Sequence, residues 1–240
     1  MKKYILFFVT SFAALTVKGQ SGYNYQEWGI GGGLSYERGY TNITQQNNHL
    51  GFDLTATYNY NPYLPIEAEI QLGTLSGGGA APNLDPYGRQ YVNNYKALLF
   101  HADFQLGSGI DYEGSWFLTL AKNFYIGSGF GFIFNANKVT RYSPYESTYK
   151  FPGSDNSINI AFPIRVGYEF KLYDDYNEPS WAIDVGYVHS LVFGEGLDGY
   201  NDPPSKFKNN AIDQYRQISI GFKYYFGTVV SYNKLIRDFR

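Results

Sequence analysis

The sequence predicts an all-β protein: an antiparallel up-and-down transmembrane β-barrel of about eight strands, with long extracellular loops and a short C-terminal periplasmic tail. Three observations carry that reading. Apolar residues alternate with small or polar ones over segments of about ten residues from Trp28 onward. The 240 residues include 25 Tyr, 19 Phe, 3 Trp and 27 Gly, whereas only 17% are charged. The mean hydropathy of −0.34 argues against a bundle of transmembrane helices, each of which needs about 20 mostly apolar residues. The aromatic content excludes disorder. The absence of cysteine excludes a disulfide scaffold, a thiolate metal site and a cysteine nucleophile. A net charge of −2 offers no field for nucleic acid.

The chain divides into a signal peptide (1–19), a barrel (20–227) and a periplasmic tail (228–240). Met1-Lys2-Lys3 precedes the apolar stretch from Tyr4 to Val17, and the small residues of Val17-Lys18-Gly19 place cleavage after Gly19. In the first strand Trp28, Ile30, Leu34 and Tyr36 share a face opposite Gly29, Gly31, Gly33, Ser35 and Glu37. The second sets Leu50, Phe52, Leu54, Tyr58 and Tyr60 against Gly51, Asp53, Thr55 and Asn59, before an Asn61-Pro62 turn. Ile66, Ile70 and Leu72 then oppose Glu67, Glu69 and Gln71, and Leu98, Phe100 and Phe104 oppose Leu99, His101, Asp103 and Gln105. Four more segments follow, built on Phe124–Phe134, Ile160–Leu172, Ile183–Leu191 and Ile218–Phe226. A soluble antiparallel sandwich also alternates. It would, however, place abundant Lys and Glu on its wet face, and here charges are few while aromatics gather at segment ends, as at a membrane interface.

Connection lengths set the orientation. Residues 38–49, 76–94, 138–157 and 193–213 form long loops, expected outside, while 61–64 and 173–180 form short periplasmic turns. The connection 107–123 breaks this rule. Its Trp116-Phe117-Leu118-Thr119-Leu120 is open to three readings: a strand extension, an in-plane interfacial segment or an additional strand.

Ser219, Gly221, Tyr224 and Phe226 in the last strand follow the order polar, glycine, aromatic, aromatic, which resembles the β-signal read by the outer-membrane assembly machinery. With this motif, residues 25–226 resemble the small outer-membrane β-barrels of the OmpA/OmpX kind, and the Gly19-Gln20 junction with heavy Tyr, Asn and Gly usage resembles barrels of the Bacteroidota. The resemblance implies class more than activity, because unrelated functions share such barrels. The chain departs from it beyond Gly227. There Tyr232, Leu235, Ile236 and Phe239 fall at helical spacing with Lys234 and Arg237 beside them. This stretch reads either as an amphipathic segment contacting the membrane or a partner, or as a frayed tail.

Inward positions bring Glu67, Glu69, Asp103, Glu169 and Asp184 together with Arg165, Lys171 and Lys223. They are expected to form a buried, mutually neutralising network, because an unpaired charge in a narrow lumen is costly. Catalytic signals are thin: His49, His101 and His189 are scattered, and His189 points outward beside Ser190 on one strand. Residues 195–204 cluster oxygen ligands without EF-hand spacing and read as a solvated turn-rich loop in preference to a calcium site. The glycine run at 76–79 reads as a flexible loop. No cofactor is implied. The expected function is non-enzymatic: a structural or interaction barrel, alone or as a subunit of a larger envelope complex, with a narrow channel as the alternative and a lipid-modifying enzyme less favoured. Expected partners are outer-membrane lipid, the assembly machinery and other envelope proteins, with no nucleic acid.

Overall fold

Period-two alternation demands a sheet with unlike faces, and the chain satisfies it by closing the sheet on itself. The computed structural model describes residues 24–112, 114–146, 148–201, 203 and 212–232. Eight strands follow in order: β1 (Asn24–Tyr40), β2 (Asn48–Asn61), β3 (Leu64–Gly78), β4 (Gln90–Gln105), β5 (Phe124–Val139), β6 (Asn156–Tyr173), β7 (Pro179–Phe193) and β8 (Asp213–Ser231). Each pairs antiparallel with its neighbours in sequence, and β1 with β8 completes a closed barrel. Closure leaves no sheet edge with unpaired backbone groups.

The outward face carries Ile30, Leu34, Leu54, Phe100, Ile126, Phe132, Ile164, Ile218 and Phe222, all exposed. The inward face buries Ser35, Glu37, Thr57, Glu67, Gln71, Asp103, Arg165 and Lys223. Every strand keeps the facing expected from its sequence. The strands run to 14–19 residues, longer than the about 9–11 that a bilayer core needs. Much of their surplus lies at the long-loop end, where the outward residues turn polar at Asn94, Lys96, Lys138 and Asn156.

Three connections, 62–63, 106–123 and 174–178, share one end of the barrel with the first residues of β1 and the last of β8. The β6–β7 turn is held by Asp174, whose carboxylate accepts from the backbone N–H groups of Tyr176 and Glu178 and from Ser180 Oγ. These bonds, that from Glu178 foremost, keep its pKa below the usual carboxylate range. The connection 106–123 is no ninth strand. It holds a single 3-10 turn (Leu106–Ser108) and one short helix, α1 (Trp116–Ala121), whose N-cap Ser115 Oγ accepts from Leu118 N.

Two expectations change at the other end. The glycine run is not a flexible loop, because Ser76–Gly78 continue β3 in pairing with β4. Residues 196–200 are buried and not solvated, since this loop folds back into the barrel mouth. The barrel also extends beyond Gly227: β8 pairs through Ser231 with Asn24 of β1, so residues 228–231 are strand. The signal segment and residues 233–240 lie outside the described residues.

Candidate functional site: the filled lumen

Neighbouring strands bring the inward charges into contact because small residues separate them. In register, Gly127 of β5 stands between Asp103 of β4 and Arg165 of β6. A Cβ at Gly127 would strike the Asp103 carboxylate, so a glycine there lets Arg165 reach across a whole strand. Arg165 donates from Nη1 to Glu69 Oε2 at 2.8 Å and from Nε to Asp103 Oδ2 at 3.3 Å. His101, directly opposite Glu67 in register, places Nε2 3.0 Å from Glu69 Oε2 and Nδ1 3.4 Å from Asp103 Oδ1.

Lys223 forms a second centre. Its Nζ donates to Glu67 Oε1 at 2.5 Å and lies 3.5 Å from Glu169 Oε2 and 3.8 Å from Asp184 Oδ2. Tyr225 OH donates to Glu169 Oε1 at 2.7 Å, and Tyr125 OH to Asp184 Oδ1 at 3.0 Å. All eight residues expected in the network therefore lie in it, Lys171 joining through Glu169 at 3.7 Å.

Sequence reasoning missed three members. His101 was expected to stand apart, yet it bridges two carboxylates. Glu37 is fully buried without a cation; its Oε1 accepts from Ser35 Oγ, Tyr95 OH and Gln217 Nε2. Asp53 faces a cavity of about 30 Å³ shared with Thr55, Glu67, Asp184 and Lys223, and receives no hydrogen bond or ion pair on its carboxylate from a described residue. The lumen thus holds more carboxylates than cations. Glu37, Asp53, Glu67, Glu69, Asp103, Glu169 and Asp184 face Arg165, Lys171, Lys223 and His101. Glu67, His101 and Asp103 place one donor atom each within 4.8 Å of one another, but Lys223 and Arg165 already engage those carboxylates, so side chains supply the positive charge a metal would bring.

Both mouths are stoppered. At the short-turn end Tyr63 OH donates to Tyr112 OH at 2.6 Å, and Lys171 Nζ donates to Gln105 Oε1 at 2.9 Å and to Pro62 O at 2.5 Å. At the long-loop end Leu197 and Tyr200 pack into a core with Tyr91, Ile133, Phe151 and Tyr215. Asn93 Nδ2 donates to Leu197 O and Asn137 Nδ2 to Gly196 O, both at 2.9 Å. Burial pushes the Tyr200 phenol up to about 12, so it stays a donor to Gln90 O and Thr140 O. Carboxylates serve this plug: Asp198 Oδ1, from the 195–204 loop, accepts from Tyr200 N, and Asp213 Oδ2, at the start of β8, accepts from Leu197 N.

The remaining expected residues sit on the wall. Tyr224 and Phe226 face outward, Tyr224 against Trp181 at 4.4 Å, while Ser219 and Gly221 line the cavity. His189 faces outward as expected, hydrogen-bonded to Gln214 and Tyr187. Tyr232 packs edge-on against Tyr63 at 6.0 Å; Lys234, Leu235, Ile236, Arg237 and Phe239 lie outside the described residues.

No family profile matches the chain, and no curated protein matches it. Among solved structures it is similar to Ail, the attachment invasion locus protein of Yersinia pestis, with 13% identity, 84% of this chain and 99% of that one covered, and a TM-score of 0.47. It is similar to Neisserial surface protein A (11% identity, 83% and 97% covered, TM-score 0.45). It is also similar to the outer membrane protein OprG from Pseudomonas aeruginosa (12%, 86% and 99%, TM-score 0.35).

Proposed function

We propose that the chain is an integral outer-membrane barrel of a Gram-negative bacterium, acting as a non-enzymatic structural or interaction component. Its long-loop end faces outward, and its short turns and both mature termini face the periplasm. The observation that carries this is the inversion of burial: apolar side chains ring the outside of a closed sheet while charges fill its inside. Water outside that ring would meet an apolar band far larger than the patches that soluble monomers expose, whereas lipid matches it. The basic, apolar N-terminus supports export, and the Ser219, Gly221, Tyr224 and Phe226 pattern supports handling by the assembly machinery.

The filled lumen and its two stoppers favour a scaffold over a transporter, leaving the packed outer cap and the wall as contact surfaces for other envelope proteins. Planar-bilayer recording tests this. Protein that shows the heat-modified gel shift of a folded barrel is expected to give no discrete conductance steps, and reproducible steps would sink the non-transport reading.

A further inference from the structure

The outward wall carries two arginines that no carboxylate among the described residues neutralises. Arg38 of β1 and Arg216 of β8 stand directly opposite each other at the junction that closes the ring. Both face outward near the long-loop end and both are half-buried. Neither guanidinium makes a hydrogen bond or ion pair with a described residue, and Arg38 Nε is buried without a partner. Both lean on one ring: their Cζ atoms lie 5.8 and 5.6 Å from the Tyr40 centroid. His189, in register with Arg216 on β7, lies 6.2 Å from the same ring. Because Gln214 Oε1 can only accept, His189 donates from Nε2 to it at 2.7 Å, and Tyr187 OH donates to His189 Nδ1 at 3.2 Å. Gln214 Nε2 is left as a donor with no acceptor among the described residues.

Like charges directly opposite on one sheet face are destabilising, and a cation on a lipid-facing wall costs free energy that falls only near the interface. A guanidinium is a planar fork of donors matched to a phosphate, so an anion between these two would relieve both penalties. We infer that Arg38, Arg216 and Gln214, braced by Tyr40 and His189, form a binding site for the phosphate of a lipid headgroup in the leaflet at the long-loop end. The inference rests on the membrane reading above. A lipid is the source because the cluster sits on the wall, one pleat above Tyr36, Ile218 and Tyr187 of the apolar band, and not in the mouth.

The test uses the full mature chain, refolded in zwitterionic detergent and checked by heat-modified mobility. Diphosphoryl lipid A, an uncharged dephosphorylated lipid A and inorganic phosphate are titrated separately, read by native mass spectrometry and by the unfolding midpoint. Wild type is expected to retain the diphosphoryl lipid and gain midpoint with it alone. Arg38→Gln/Arg216→Gln is expected to bind it about ten-fold more weakly or worse, while Lys96→Gln, a wall charge on β4, leaves binding unchanged. Arg216→Lys, which keeps charge but loses the fork, is expected to fall between. Equal retention by the double variant overturns the site. An equal gain from inorganic phosphate overturns the lipid source, and one from the dephosphorylated lipid overturns phosphate recognition. Failure of the folded protein to insert into vesicles overturns the membrane reading as well, whereas insertion without lipid dependence overturns this inference alone.

Discussion

At the scale of single residues, Arg165 and Asp53 sit in one lumen with opposite consequences. Arg165 joins Glu69 and Asp103 from a strand that pairs with neither of theirs. Removing one partner of a buried pair strands the other charges, at a cost of about 3–5 kcal/mol. Arg165→Ala is therefore expected to lower the unfolding midpoint and weaken heat-modified mobility in detergent; melting equal to wild type would show that the pairs do not hold the barrel. Asp53 has no such partner and shares its cavity with Glu69 and Asp184, so Asp53→Asn removes a charge that those carboxylates repel and is expected to raise the unfolding midpoint. A lower midpoint would mean that Asp53 is paired in solution. Period-two reading found the eight network residues because facing is a local property of a strand. It missed the role of His101 because that depends on register: only the pairing of β3 with β4 sets it opposite Glu67.

Elements repeat the same lesson. Strand number and facing were legible, because each strand carries its own apolar row. The connection 106–123 was not, since six residues of Trp116-Phe117-Leu118-Thr119-Leu120-Ala121 fit helix and strand equally without a partner to decide between them. The helix forms on the Ser115 cap and buries none of its residues: Trp116 is 80% and Phe117 60% exposed. Tyr168 OH, from the outward face of β6, donates to Leu120 O at 2.8 Å and fastens α1 beside the exposed Phe124 and Ile126. An apolar helix held at that level suits the membrane interface. In vesicles, a Trp28→Phe/Trp181→Phe protein, leaving Trp116 alone, is expected to emit at blue-shifted wavelength and be quenched by brominated lipid. If Trp28 and Trp181 are quenched in the complementary variants and Trp116 is not, the helix stands in water.

For the whole molecule, ring closure is the cooperative event, and it depends on the end of β8 more than the alternation suggested. The apolar row ends at Phe226, which is why the barrel was expected to stop at Gly227. Pairing nevertheless resumes past the irregularity between Gln26 and Trp28, joining Gln26, Tyr25 and Asn24 to Val229, Val230 and Ser231. A backbone ladder leaves no mark on side-chain periodicity, so this extension was invisible to the sequence. It changes how the tail must be tested. Truncation after Gly227 removes strand as well as tail, and at about 0.5–1.5 kcal/mol per hydrogen bond it is expected to lower the unfolding midpoint measurably. Truncation after Tyr232 preserves those pairs and the Tyr232–Tyr63 contact, so it is expected to melt above the shorter form. Equal midpoints for the two truncations would mean that the last paired residues of β8, Val229 to Ser231, contribute nothing to closure. With unequal ones, only the cut after Tyr232 can separate a docking role of residues 233–240 from damage to the barrel itself.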